Sequence, residues 1–265
     1  MAVIGDIYEA MNEFAPFHLQ MDFDNAGFLV GRRSAEVRRL LISLDITEEV
    51  VREAADRDCQ LIVSHHPVIF HPARAITDDT VNGRILLALT ENHIGAICAH
   101  TNLDAVSGGV NDCLAEVLGL SKLEQLHQDG VDEAGRPYGI GRVGVVHEEG
   151  LTAAQYGAYV KGKLHAASLR CADGGKPVHR VAVGGGSCGS MLADAVAVGC
   201  DAFVTADVKY DQYLEAKAMG LTLMDAGHYA TESVVCPYLV RELGTRFPEV
   251  EVVLTRIHRE VYDGI

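Results

Sequence analysis

The segment Leu61-Ile-Val-Ser-His65-His66-Pro67 indicates the fold, because a short apolar strand ends there in two adjacent histidines. The same pattern occurs twice more, in Ile97-Cys-Ala-His100-Thr-Asn-Leu-Asp104 and in Leu223-Met-Asp-Ala-Gly-His228-Tyr-Ala-Thr-Glu232. In open α/β sheets the carboxyl ends of the strands line the ligand crevice, so ends that are distant in sequence can meet there. We therefore predict an α/β fold with its functional site at the carboxyl ends of its strands.

The rest of the chain supports this fold class, because apolar strand-like runs alternate with segments of helical period. The predicted strands are Arg39–Leu44, Leu61–Val63, Ile94–Ala99, Val181–Val183, Ala202–Val204 and Leu221–Met224. The predicted helices are Glu48–Arg57, Gly83–Asn92, Val110–Leu118, Met191–Val198 and Tyr210–Met219. The polar, glycine-containing stretch 124–137 is predicted to cross between two domains, and a long surface loop within one domain is the alternative.

Composition and charge narrow the class of protein. The 265-residue chain carries 22 Lys and Arg against 37 Asp and Glu, a formal net charge of −15 with neutral histidines. Such an excess of carboxylates argues against direct binding to nucleic acid or to an anionic membrane surface. No apolar run approaches the roughly 18 residues of a membrane span, and no secretory leader is recognisable. Seven cysteines without a C-x-x-C pair fit a reducing compartment, so we predict a cytoplasmic protein.

The side chains at the three strand ends are of the types that bind divalent metals. Neighbouring side chains on a strand point to opposite faces, so His65 and His66 are expected to serve two different metals rather than one. The histidine and the carboxylate of each other segment lie four residues apart and share a face if a helix begins there. Imidazole and carboxylate donors without cysteine favour zinc, iron(II) or manganese. The alternative is that each histidine is a hydrogen-bonded structural residue.

A glycine-rich turn raises a different possibility. Val181-Ala-Val-Gly-Gly-Gly186-Ser-Cys-Gly189 matches G-x-G-x-x-G after a strand and before a helix, the setting of a dinucleotide fingerprint. The strand lies deep in the chain and no Lys-Ser or Lys-Thr follows, which favours a tight strand-to-helix turn over a nicotinamide or flavin site. Contact between its amides and a phosphate-bearing substrate is an alternative.

Two other segments are interpreted as structural. Asp22–Gly31 is interpreted as a turn that runs into a strand. Asp45 is interpreted as a structural residue, with support of a metal site as its alternative.

Taken together, the motifs resemble the NIF-three-like family of dinuclear-metal proteins, also known as GTP cyclohydrolase 1 type 2 homologues. The resemblance covers nearly the whole chain, and the histidine pair, H-T-N-L-D and G-H-Y-x-T-E occur in an order that is highly specific. The segments that carry it are Asp24-Asn25 with its following glycines, Ser64-His-His-Pro67, His100-Thr-Asn-Leu-Asp104, Gly108-Gly-Val-Asn-Asp112 and Gly227-His-Tyr-Ala-Thr-Glu232.

This resemblance implies a site with two divalent cations per chain, of zinc, iron or manganese. Glu232 is the implied bridge between them. His100 matches a family position close to the metals, where it either ligates or acts as the catalytic residue. The implied metal ligands are His65, His66, Asp104, His228 and Glu232.

The resemblance also implies two α/β lobes, the second inserted into the first, and assembly into a ring-shaped homohexamer with metal sites facing an internal cavity. The first lobe would comprise residues 1–125 plus 221–265, and the inserted lobe residues 126–220. Three positions depart from the family pattern. The aromatic residue before Asp24 is Trp in many members and Phe23 here, and the usual T-G-D followed by His is replaced by Ala206 before the aspartate and by Asp211.

Two functional hypotheses follow. The first is a dinuclear metal-dependent hydrolase, of GTP cyclohydrolase type or a phosphoesterase, whose small-molecule substrate is a nucleotide or carries phosphate. The second is a non-catalytic protein that stores, delivers or senses iron or zinc, or serves as an interaction scaffold. Five protein ligands around two metals leave coordination positions open, which favours the hydrolase.

Overall fold

The computed structural model describes residues 1–132, 135–148 and 150–263. Its strands are β1 (Gly27–Val30), β2 (Arg39–Ser43), β3 (Leu61–Ser64), β4 (Gly95–Cys98), β5 (Ser121–Gln125), β6 (Gly130–Val131), β7 (Pro137–Tyr138), β8 (Arg142–Val145), β9 (Arg170–Ala172), β10 (Arg180–Val183), β11 (Ala202–Thr205), β12 (Thr222–Asp225) and β13 (Glu251–Leu254). The predicted strands are all present, with ends shifted by no more than about one residue.

The helices alternate with these strands, which confirms the predicted α/β class. They are α1 (Ile4–Phe14), α2 (Glu48–Asp56), α3 (Val81–Glu91), α4 (Thr101–Ala105), α5 (Val110–Val117), α6 (Ala153–Leu164), α7 (Leu192–Ala197), α8 (Tyr210–Met219), α9 (His228–Glu232) and α10 (Val235–Arg246). Short 3₁₀ turns lie at Phe17–Leu19 and Gly189–Met191. None of the helices in the described ranges is both long enough and apolar enough to cross a membrane.

The first compact unit comprises Met1–Leu103 and Cys236–Arg259. Its sheet has the order β1-β4-β3-β2-β13, with β1 antiparallel to β4 and the other neighbours parallel. The central strands β3 and β4 are fully buried and β2 is buried except at Arg39, as continuous apolar runs predict for a sheet covered on both faces, whereas the edge strand β13 is partly exposed. Thr47 caps the start of helix α2, because its hydroxyl accepts a hydrogen bond from the Val50 amide. The apolar face of the helix packs on Leu41 and Ile62.

The second compact unit comprises Asp104–Val235 and the chain from Glu260 onward. Its main sheet has the order β5-β8-β10-β11-β12-β9, in which β10, β11 and β12 are parallel and the remaining pairs antiparallel. Alternate residues of each central strand face different cores. Val204 packs with α5 and α6, whereas the neighbouring Phe203 packs with α7 and α8.

The division into units differs from the lobe boundaries predicted at 125/126 and 220/221. It falls at Leu103/Asp104, inside α4, and at Val235/Cys236. The physical reason is strand pairing, because β5 and β12 both hydrogen-bond within the second sheet and therefore belong to that unit. The stretch 124–137 lies inside the second unit, where part of it forms the small β6-β7 ladder, and its residues 133 and 134 lie outside the described ranges.

Candidate metal centre

Three of the predicted site histidines come together in the first unit. His65 and His66 follow β3, and His100 follows the neighbouring strand β4. Each offers a ring nitrogen, and these nitrogens all lie within 4.8 Å of one another. The ring centroids are separated by 5.0 Å for His65 and His66 and by 5.2 Å for His65 and His100. Pairing of β3 with β4 therefore produces a compact cluster of three imidazoles, as expected for the carboxyl ends of adjacent parallel strands.

The expectation that His65 and His66 point to opposite faces is wrong. Strand alternation applies only while the backbone stays extended, and β3 ends at Ser64. The amides of both histidines then donate to the same carbonyl, that of Leu44, at 3.2 and 3.0 Å. This bend removes the alternation and brings both rings into one cluster.

Each histidine of this cluster is fixed through its Nδ1 atom. His65 Nδ1 lies 2.8 Å from the carbonyl oxygen of Ala99, and His66 Nδ1 lies 2.7 Å from a carboxylate oxygen of Asp45. His100 Nδ1 lies 2.8 Å from a carboxylate oxygen of Asp24. Carbonyls and carboxylates only accept, so Nδ1 carries a hydrogen, and in the neutral imidazole the lone pair is then on Nε2. This is the pattern by which proteins orient and polarise metal-binding histidines.

Asp24 remains ionised in this environment. Burial by itself raises the pKa of Asp24, but hydrogen bonds from His100 and Thr101 outweigh it and bring that pKa down to about 2. At neutral pH the carboxylate therefore accepts the His100 Nδ1 hydrogen, while its other oxygen accepts the Thr101 amide at 3.0 Å. The turn predicted at Asp22–Gly31 thus contributes directly to the orientation of His100.

The second unit brings together the other three predicted residues. His228 and Glu232 begin and end α9, and His228 Nε2 lies 2.9 Å from Glu232 Oε2, so the four-residue spacing places them on one face as predicted. Asp104 and Glu232 are both buried and offer carboxylate oxygens within 4.8 Å of each other. His228 Nδ1 lies 2.7 Å from a carboxylate oxygen of Asp207. The orienting pattern of the first unit is thereby repeated.

The glycine-rich turn after β10 is a tight turn that contacts Glu232. The Gly185 amide donates to Asn111 Oδ1 at 2.9 Å and the Gly186 amide donates to Thr231 Oγ1 at 3.0 Å, so neither is available to a phosphate. A Cβ atom at Gly186 would lie 2.0 Å from Glu232 Oε1. The glycine therefore makes room for a carboxylate of the site, a role that the sequence motif did not reveal.

Three aspartates that hold the histidines share one signal: Asp24 and Asp207 were not predicted in this role, whereas for Asp45 the support of a metal site was the stated alternative. Asp24 precedes β1, Asp45 follows β2 and Asp207 follows β11, so each is an acid close to a strand end. Asp45 also accepts from His258 Nε2 at 2.8 Å, which fixes its orientation toward His66. Of the three positions that depart from the family pattern, Ala206 is buried, whereas Phe23 and Asp211 are exposed.

The donor chemistry fits divalent metal ions. With Nδ1 hydrogen-bonded, the neutral imidazoles of His65, His66 and His100 would offer Nε2 as the donor that binds zinc, iron and manganese. His228 Nε2 faces Glu232 Oε2 at 2.9 Å, so these two groups donate and accept between themselves and can instead share a cation. In the second unit, two buried carboxylates that approach each other repel, and a divalent cation is a counter-charge that stabilises them. The chain is therefore able to hold metal at these residues.

Comparison with known proteins identifies the family of the chain. Residues 2–260 match the family Duf34/NIF3 (NGG1p interacting factor 3). The chain belongs to this family. This assignment confirms the resemblance inferred from the sequence motifs.

Relatives of the Duf34/NIF3 chain match over most of its length. A GTP cyclohydrolase 1 type 2 homolog of Clostridium perfringens is 34% identical over 264 residues, 99% of each chain, and one of Clostridium acetobutylicum is 36% identical over 230 residues, covering 86% and 85%. Among solved structures, a Bacillus cereus protein related to NIF3 has a TM-score of 0.93 at 25% identity, covering 100% of this chain and 99% of that one. A Staphylococcus aureus hypothetical protein has a TM-score of 0.91 at 28% identity, covering 99% of each.

The Nδ1 anchors of the Duf34/NIF3 chain are testable at Asp207. Its φ of 52° is tolerated by Asn as well as by Asp, so Asp207→Asn preserves the backbone. The new amide can donate to His228 Nδ1, which moves the hydrogen to Nε2 and blocks the metal-binding lone pair. We expect zinc affinity to fall about 10- to 100-fold in titrations of chelator-stripped protein. Asp211→Asn, an exposed change on α8, is the control, and equal affinities in the two variants would contradict the anchor.

Proposed function

We propose that the chain is a dinuclear metal-dependent hydrolase that acts on a small nucleotide or another phosphate-bearing substrate, in the manner of a GTP cyclohydrolase 1 type 2. The observation that carries this proposal is the shared orientation of four histidines, each with Nδ1 held by an acceptor. The names of the relatives support the nucleotide substrate. The proposed ligands are His65, His66, Asp104, His228 and Glu232, with Glu232 as the bridge.

Two divalent cations, when bound, supply a nucleophilic water at neutral pH and polarise the attacked centre. The side chains supply orientation and proton transfer. Five protein ligands leave positions for water and substrate, which is the property that separates catalytic from structural metal sites. Because the histidines are held by hydrogen bonds, they need no reorganisation when substrate arrives.

His100 is the proposed proton carrier. Asp24 holds its Nδ1 hydrogen, so Nε2 is free of hydrogen and accepts one from the attacking water. In ring opening, a bond forms between the water oxygen and the ring carbon, the carbon–nitrogen bond breaks, and His100 returns the proton to the departing nitrogen. The imidazolium formed in between is stabilised by the ionised Asp24.

The first test is the metal content of Glu232→Gln. Wild-type protein purified without chelator is expected to contain about two divalent cations per chain by elemental analysis. The amide of Gln lacks the charge needed to bridge two cations, so we expect this variant to retain less than about half of that content while staying folded by circular dichroism. Nucleotides and phosphoesters are then screened for hydrolysis by the metal-loaded wild type.

Glu116→Gln is the matched control, because it removes one carboxylate from an exposed position on α5 in the same unit. Full metal retention in Glu232→Gln would remove Glu232 from the ligand set. Two bound metals without turnover of any nucleotide or phosphoester would replace the hydrolase by the alternative of a metal-storing or metal-delivering protein.

A further inference from the structure

Two large aromatic side chains are exposed beside the histidine cluster of the first unit. Phe23 is 62% exposed and Phe70 is 39% exposed, although rings of this size are usually buried. Their centroids lie 6.4 Å apart at an interplanar angle of 65°. Phe70 in turn lies 6.1 Å from the ring of His100 at an angle of 85°. The rings therefore meet edge to face in a row that leads to His100, so a planar group can stack on the face of one phenylalanine while it contacts the edge of the other. We call Phe23 and Phe70 together the aromatic wall.

The backbone that carries this wall is fixed. Asn25, two residues after Phe23, donates its side-chain amide to the carbonyl of Ile69, which directly precedes Phe70. Asp24, adjacent to Phe23, accepts hydrogen bonds from His100 and Thr101. Exposure of the two rings is thus built into an ordered arrangement and does not come from a loose loop.

We propose that Phe23 and Phe70 form a stacking platform for the planar base of a nucleotide, and that this platform presents the base to His100. The identity of the substrate rests on the proposed function. Stacking on aromatic side chains is strong for every base, because each base has a π face. Such a platform selects nucleotides over base-free phosphate esters. It needs no motif that recognises guanine by hydrogen bonds, and the sequence shows no such motif.

The location of the platform suits this role. A base stacked on Phe70 lies next to the ring whose Nε2 is proposed to carry the proton, so one contact both binds the substrate and positions its reacting ring. The platform carries no charge of its own. The phosphates must therefore be bound by other groups, and base recognition and phosphate recognition are separable by experiment.

The chain contains no tryptophan, which gives a direct probe of stacking. In Phe23→Trp the introduced indole is the sole tryptophan of the chain, and its fluorescence reports on a base that stacks against it. We expect quenching that saturates with GTP or GMP and is absent with ribose 5-phosphate or inorganic phosphate. Phe14→Trp is the matched control, because Phe14 packs beside Tyr238 and not beside the histidine cluster. No saturable quenching is expected there.

A second measurement tests the contribution to binding. Phe23→Leu and Phe70→Leu keep an apolar side chain but remove the ring face, and we expect each to weaken GTP binding about five- to a hundredfold in equilibrium dialysis. Binding of ribose 5-phosphate and the number of metals per chain should stay the same. The decisive quantity is therefore the ratio of the affinity for GTP to the affinity for ribose 5-phosphate, which should fall in both variants.

The outcomes separate this proposal from the proposed function. If nucleotides and base-free esters quench the fluorescence equally while metal content and turnover are intact, the platform is refuted and the proposed function stands. Quenching that depends on protein concentration and not on nucleotide would also overturn it, because a second copy of the chain would then cover the rings. Saturable base-dependent quenching in a protein that hydrolyses no nucleotide would support the platform and refute the hydrolase.

Discussion

Gly186→Ala is expected to remove most of the bound metal while the chain stays folded. A Cβ atom at this position would lie 2.0 Å from Glu232 Oε1 and 2.9 Å from its Cδ. Glu232 is only 3% exposed, so its carboxylate cannot move into solvent. It must shift within the packed interior and therefore leaves the position that it occupies beside Gly186. The φ of +65° at Gly186 adds a backbone cost of about 1–2 kcal/mol to the free energy of folding.

The control for this prediction is Gly199→Ala. Gly199 has a similar φ of +75°, but a Cβ atom there meets nothing within 4 Å. Gly199→Ala should therefore lose about 1–2 kcal/mol of unfolding free energy from its backbone alone, and Gly186→Ala should lose that amount plus the cost of the clash with Glu232. Only Gly186→Ala should lose metal by elemental analysis and zinc titration. If the two variants bind equal amounts of metal, the carboxylate of Glu232 is not a ligand in the geometry described.

Arg142→Met is expected to destabilise the second unit by about 3–5 kcal/mol, the range for breaking a buried ion pair on one side. The Arg142 side chain is only 3% exposed and lies 2.8 Å from Asp112 Oδ2. It also donates to the carbonyls of Gly139, Gly141 and Val106, each at 2.9 Å. Met matches the length of the aliphatic stem but leaves these acceptors and the Asp112 carboxylate without their donor.

The effect of Arg142→Met is measured as the decrease in the free energy of unfolding, obtained from urea denaturation that is followed by circular dichroism. Arg136→Met is the control in the same unit, because Arg136 is 63% exposed in its ion pair with Asp132 and should contribute less than about 1 kcal/mol. Similar shifts for both variants would mean that Arg142 is not the centre of a buried network. The turn that Arg142 holds lies directly after Asp104, so a fall in metal affinity is also expected.

Much of the fold was predictable because its signals are local. Continuous apolar runs such as Leu61–Val63 predict buried parallel strands, and the period of Glu48–Arg57 predicts a helix that packs on them. The edge strands β5 and β13 were not predicted. β5 is mostly polar and exposed and carries little burial signal, and β13 is a run of only four residues at the edge of its sheet. The predicted lobe boundaries differ from the observed division into units because β5 was not predicted. Its place in the second unit depends on its pairing with β8.

The chemical groups of the candidate site follow from the sequence alone. Histidines and carboxylates directly after apolar strands predict a divalent-metal site, because strand ends and donor types are both visible in a local stretch of residues. The spacing of His228 and Glu232 likewise fixes their common face, since it depends only on the helical repeat.

Only the tertiary structure decided how these groups are oriented. The Nδ1 partner of His100 is Asp24, 76 residues away in sequence. The space for Glu232 comes from Gly186, which lies in the turn after β10. Such contacts depend on which strands pair and on how the chain bends after them, as the turn at His65 and His66 illustrates. No local pattern encodes these partners, because the distance between two side chains is set by packing of the whole unit and not by the intervening sequence.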